Sequence, residues 1–234
     1  VSENGAWQEW LLVKPEHLAL VPDAIDDVVA ASLPVAYLTA QVTLTLAGFK
    51  PGMTVLAPGI GGSVGNATYQ LARAQGAAKA ISTAGSAAKA AHAKQLGFDD
   101  VVDLSAQGLA EGVRRITSGK GADIVIESIG GNVTSEALSS LGPGGVLITL
   151  GYSAGRKTTI DVTDLIWKRA RMEGFSLFAQ SPAAVAAAWR DVLPLISSGS
   201  VKPIVERVYP FAEAGEALRH LIEDRPFGKV VLAG

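Results

Sequence analysis

The stretch Val55–Ala77, VLAPGIGGSVGNATYQLARAQGA, decides the fold. An apolar run, Val55 to Ala57, leads into glycines at 59, 61, 62 and 65, and then into an amphipathic segment ended by Gly76. That order reads as a buried strand, a tight turn and a helix, the context a dinucleotide-binding turn requires. Counted back from Gly65, the pattern G-x-G-x-x-G asks for glycine at 60, 62 and 65. The chain has Ile60, Gly62 and Gly65 there. The physics of the turn survives the change. Gly62 lets backbone approach a pyrophosphate and Gly65 lets the helix press on the strand. The helix N-terminus adds free N–H groups and a partial positive charge.

Working outward, short β-branched runs alternate with helix-length segments. The pattern predicts strands near Thr54–Ala57, Ala80–Thr83, Asp100–Val102, Asp123–Glu127 and Val146–Leu150, and later near Met172–Phe178, Glu206–Tyr209 and Lys229–Leu232. Helices are expected near Ser63–Gln75, Ser86–Leu96, Gly108–Thr117, Thr134–Leu141, Pro182–Ser198 and Ala212–Glu223. This alternation argues for an α/β fold, a Rossmann-type doubly wound parallel sheet covered on both faces. The first fifth differs. Residues 5–23, GAWQEWLLVKPEHLALVPD, alternate and then turn through two prolines, which suits an antiparallel remnant. The next segment, 24–52, reads as one or two helices leading into the sheet.

Composition narrows the function. The chain has 234 residues, 48% hydrophobic and 18% charged, with a net charge of −2, so no basic groove for nucleic acid is expected. Cysteine is absent, which removes thiolate nucleophiles and sulfur-ligated zinc; His17, His92 and His220 show no ligand spacing. No stretch is long and apolar enough to span a membrane and no signal peptide opens the chain, so a cytoplasmic protein is expected. None of the four tyrosines has lysine four residues on, which argues against the Tyr-x-x-x-Lys pair of short-chain dehydrogenases.

The cofactor is read one strand further on. An NAD site places Asp or Glu about 20 residues after the turn, for the ribose hydroxyls. Here the chain reads ISTAGSAAKAA, with Ser82, Thr83, Gly85, Ser86 and Lys89 and no acid. Hydroxyls and a lysine suit a 2′-phosphate that a carboxylate would repel, which favours NADPH.

With ASLPVAYLTA, the glycine turn, STAGSAAK, ADIVIESIGG, GGVLITLG and FGKVVL in order, the chain resembles the zinc-independent quinone oxidoreductase branch of the medium-chain dehydrogenase/reductase superfamily. The resemblance implies a six-stranded NADP-binding domain over residues 24–234. It also implies that residues 1–23 are the tail of a GroES-like catalytic domain, with about a hundred further residues upstream. It places Gly62, Ser63, Val64 and Gly65 on the pyrophosphate, with Ser82, Thr83 and Lys89 on the 2′-phosphate. Thr39, Gly151 and Tyr152 would lie near the nicotinamide and Ser128 at the sheet edge near the adenosine or pyrophosphate, with Gly228 and Lys229 closing over the cofactor. Ser63 stands where this branch commonly has glycine, and Leu104 where a tyrosine often stacks. Val35 takes the position of a zinc-ligating cysteine, so no metal is expected. The implied activity is hydride transfer to a quinone or an α,β-unsaturated carbonyl, without nucleic-acid or membrane partners. The alternatives are an enoyl thioester reductase and a non-catalytic NADP-binding module. Tyr152 is the one candidate for acid–base work in the pocket. A homodimer through an edge strand at Met172 to Phe178 is also implied.

Overall fold

The computed structural model describes residues 6–234. Six parallel strands form one sheet: β1 (Thr54–Ala57), β2 (Lys79–Ala84), β3 (Val101–Asp103), β4 (Ala122–Glu127), β5 (Leu141–Thr149) and β6 (Arg171–Gly174). Their spatial order is β3-β2-β1-β4-β5-β6, so the order reverses between β1 and β4. In open α/β sheets ligands bind at that reversal, outside the carboxyl ends of the strands.

Alternate residues of the central strands feed two different cores, as a period of two dictates. Val55, Ile124, Ile126, Val146 and Ile148 pack on one face against α2 (Ala36–Leu46), α3 (Ser63–Ala74) and α4 (Ala87–Gln95). Leu56, Ile81, Val125 and Leu147 pack on the other against α5 (Leu109–Ile116) and α6 (Asn132–Ser139). Each buried Val, Leu or Ile contributes roughly 1.5–3 kcal/mol, and both faces must be apolar for the sheet to stay closed to water. The remaining helices are α1 (Asp27–Ser32), α7 (Val162–Lys168), α8 (Pro182–Ser197) and α9 (Ala214–Glu223). Several open on side-chain caps. Asp26 accepts from Val29 N, Ser86 from Lys89 N, Asp161 from Thr163 N and Ser181 from Ala184 N.

Two expectations change, and two features were not anticipated. Residues 6–23 contain no strand, only a short 3₁₀ turn at Pro15–His17. Alternation needs a neighbouring strand to become a ladder, and here Trp10, Leu12 and Leu20 are almost fully exposed. Residues 1–5 of the proposed tail lie outside the described residues. The edge strand spans Arg171–Gly174 rather than Met172–Phe178, and Leu177–Ala179 is a 3₁₀ turn. β7 (Val205–Pro210) and β8 (Lys229–Ala233) pair with each other in a separate two-stranded parallel sheet. Finally, α7 occupies a segment for which no helix was expected.

Candidate functional site

At the strand-order reversal, β1 ends at Ala57 and the chain turns through Pro58–Gly62 into α3. Thr83, at the end of β2, holds this turn from the side. Its hydroxyl accepts from Gly59 N at 3.0 Å and its carbonyl from Ile60 N at 2.9 Å. Gly65 brings α3 down onto the turn. A Cβ on it would lie 2.4 Å from Gly59 O and 2.6 Å from Pro58 O. No other residue fits.

Gly62 is the N-cap, extended, and no side chain caps this 12-residue helix. Its first amides therefore stay open to a ligand, backed by the helix dipole. Asn66, buried, donates to Ile60 O at 3.4 Å and accepts from Gln70 at 2.8 Å, which fixes the loop's inner side.

The C-terminal segment is fastened across the turn. Gly228 N donates to Gly61 O at 3.0 Å, and Lys229 N donates to Ile204 O at 2.9 Å. Gly228 has φ +116, and a Cβ there would meet Ile204 O at 2.7 Å, so this approach also needs glycine. Lys229 lines a narrow groove with Ser63, Asn66, Tyr37, Ser32 and Gly228. Among the described residues its ammonium has no ion-pair or hydrogen-bond partner, and burial lowers its pKa. A half-buried, unpaired cation sharing a groove with the first residue of an uncapped helix suits an anion. These residues fit a pyrophosphate.

The predicted site residues therefore divide. Ser63, Gly228 and Lys229 line one groove, while Gly62, Val64 and Gly65 lie beside Ser63 at the start of α3. Ser128 and Gly151 meet at the adjacent edge, where a Gly151 Cβ would overlap Ser128 O. Tyr152 is 69% exposed on the rim, with the Arg156 guanidinium 5.7 Å from its ring centre. Thr39 is buried on α2, and its carbonyl accepts from the Thr43 hydroxyl at 2.7 Å.

Ser82 and Thr83 do not face outward as expected. Both are buried; Ser82 donates to Ala57 O at 2.5 Å and Thr83 braces the glycine turn. The small residues at the surface there are Gly85 and Ser86. Lys89 donates from Nζ to Arg225 O at 2.8 Å, which ties α4 to the closing segment.

Two residues were missed. Glu127, fully buried at the end of β4, accepts from Ile129 N at 2.5 Å, Gly130 N at 2.8 Å, Thr134 Oγ1 at 2.8 Å and Thr149 Oγ1 at 3.3 Å. It fixes the loop beside the groove; an acid closing an otherwise apolar strand was the available signal. Arg225, exposed and at φ +48, sits beside Lys89 without an ion pair, and nothing in its sequence surroundings marked it. Val35, the N-cap of α2, has φ +67, which is strained for a β-branched residue.

Comparison with known proteins fits this geometry. Residues 63–198 match the family described as zinc-binding dehydrogenase. The chain is 34% identical over 232 residues to erythronolide synthase EryA2 of Saccharopolyspora erythraea, covering 98% of this chain and 6% of that one. It is 29% identical over 229 residues to quinone oxidoreductase-like protein 2 of Bos taurus, covering 93% and 64%. The chain thus spans less than two thirds of either relative. Among solved structures, the quinone oxidoreductase from Thermus thermophilus, described with its NADPH complex, superposes with a TM-score of 0.86 at 30% identity. That match covers 99% of this chain and 75% of that one. No group of three or more His, Asp or Glu among the described residues is placed to hold a metal, and none of their helices is long and apolar enough to cross a membrane.

Proposed function

Because the chain belongs to the zinc-binding dehydrogenase family, within its zinc-independent quinone oxidoreductase branch, we propose that it binds NADPH and passes hydride to a quinone or α,β-unsaturated carbonyl. The observation that carries this reading is the uncapped start of α3, pressed onto β1 by Gly65 and faced by the unpaired Lys229. When bound, the dihydronicotinamide supplies the hydride. Gly62, Ser63, Val64 and Gly65 hold the pyrophosphate through backbone amides, and Lys229 neutralises it. Thr39, Gly151 and Tyr152 border the nicotinamide half, and Ser128 lies near the adenosine or pyrophosphate. Gly228 closes the groove. Lys89, with Arg225 beside it, takes the adenosine 2′-phosphate; Ser82 and Thr83 serve it by holding the turn.

The preference for NADPH rests on the lack of an acid at the end of β2. Asp103, opposite Ala84 on β3, is the nearest carboxylate along that edge, and its Oδ1 is engaged by Ser105. Residues 1–23 belong, in this reading, to a GroES-like neighbour that completes the acceptor pocket. The exposed edge at Arg171–Gly174 joins a second copy in a homodimer, and the cytoplasm is the working location. NADPH oxidation by the natural full-length protein, followed by the loss of dihydronicotinamide absorbance with menadione and with crotonyl thioesters, tests the reading. Turnover of menadione supports it. Turnover of the thioester alone points to an enoyl reductase, and binding without turnover to a cofactor-binding module.

A further inference from the structure

A second cleft lies away from the glycine turn, and nothing in the proposed reaction uses it. Its volume is about 470 Å³, within the roughly 300–1,000 Å³ typical of small-molecule sites. The later turns of α3 form one wall, Leu96–Phe98 after α4 a second, and Gly199–Ile204 a third. The apolar lining is built on an aromatic pair: Tyr69 and Phe98 are buried and meet edge-to-face at 5.1 Å, with the half-exposed Leu96, Ala74 and Ile204 around them.

The polar lining is cationic. Arg73 donates to Gly97 O at 2.9 Å and pairs with Asp99 at 3.6 Å, so its charge is partly answered. Lys202 is different. Its ammonium has no partner among the described residues, while its backbone is pinned on both sides by one side chain. Gln70 donates to Lys202 O at 2.9 Å and accepts from Lys202 N at 2.8 Å, as a neighbouring strand would. Gln70 is itself held by Asn66 at 2.8 Å. An exposed cation on a fixed backbone, lining the same ligand-sized cleft as the aromatic pair, suits one class of molecule.

We propose that this cleft binds a small flat apolar carboxylate, its ring against Tyr69, Phe98 and Leu96 and its carboxylate on Lys202. Charge complementarity selects the occupant: the unanswered charge in the lining is positive, and the neighbouring carboxylates Asp99 and Asp100 are engaged by Arg73 and Lys79. The inference does not depend on the assigned reaction, since the cleft shares only Ile204 with the groove at Lys229.

Calorimetry of the full chain with 2-naphthoate tests it, with 2-naphthamide as the neutral match. Naphthoate should bind saturably at one site, about tenfold tighter than the amide, and saturating NADPH should not displace it. Lys202→Ala should weaken naphthoate about tenfold, through loss of the charge-assisted hydrogen bond, and leave the amide unchanged. Leu96→Trp, at a half-exposed position, should block both ligands without unfolding the chain. Undiminished naphthoate binding in Lys202→Ala, displacement by NADPH, or no saturable binding overturns the proposal. Failure of NADPH itself to bind would instead strike the assigned function.

Discussion

Replacing Gly65 with alanine puts the account of the turn under direct strain. The new Cβ would stand 2.4 Å from Gly59 O, 2.6 Å from Pro58 O and 2.9 Å from Gly59 C, all backbone atoms that cannot swing aside. Real Cβ contacts essentially never fall below 3.0 Å, so α3 or the turn must retreat by about half an ångström or more. Overpacking of this kind costs about 1–3 kcal/mol, and the displaced amides are those assigned to the pyrophosphate. Each 1.4 kcal/mol is about tenfold in affinity, so Gly65→Ala should weaken NADPH ten- to a hundredfold in a fluorescence titration and lower Tm by several degrees. Gly215→Ala is the matched control. It lies in α9 with open space around the new methyl, and should be neutral or stabilising by about 0.5–1 kcal/mol. Wild-type affinity and melting in Gly65→Ala would refute the close-approach argument.

Other outcomes follow from the same geometry. Glu127→Leu strands the amides of Ile129 and Gly130 in a buried site and should cost about 2–4 kcal/mol in urea unfolding. Glu127→Gln, which keeps an acceptor for them, should cost less than half as much. His220 is held between Asp224 at 2.7 Å and Glu206 at 2.8 Å, and hydrogen bonds to these carboxylates, Asp224 first, raise its pKa above the ordinary 6.5. Its contribution to stability is therefore complete below pH 6.5 and fades as pH rises through the elevated value. Thermal unfolding from about pH 5.5 to 8.5 should show that fall in the wild type and a flatter profile in His220→Gln. Met172→Lys on the exposed edge strand should shift a light-scattering mass from dimer to monomer, and a monomeric wild type would remove the dimer.

How much the sequence disclosed depended on how local each cause was. Val55–Leu56, Ile124–Val125–Ile126 and Val146–Leu147–Ile148 were legible as strands because central parallel strands are apolar on both faces. The turn was legible because the glycine at 65 is demanded by contacts with Pro58 O and Gly59 O, only a few residues away. The pairing of β7 with β8 was hidden, since about twenty residues and α9 separate them and neither strand states its partner. Residues 6–23 misled because alternation looks the same with or without a partner strand. Ser82 and Thr83 were assigned by residue type, yet direction decides their role: both point into the sheet–turn junction. Helix α7 carried a readable signal, with Asp161 capping immediately before an apolar spacing at Val162, Leu165 and Ile166.

The strongest test asks which dinucleotide the site prefers. Titrating folded protein calorimetrically with NADPH and NADH in turn should give saturable heat with the first and at least tenfold weaker binding of the second. Equal affinities, tighter NADH, or no heat with NADPH would contradict the assignment of an acid-free site at the end of β2.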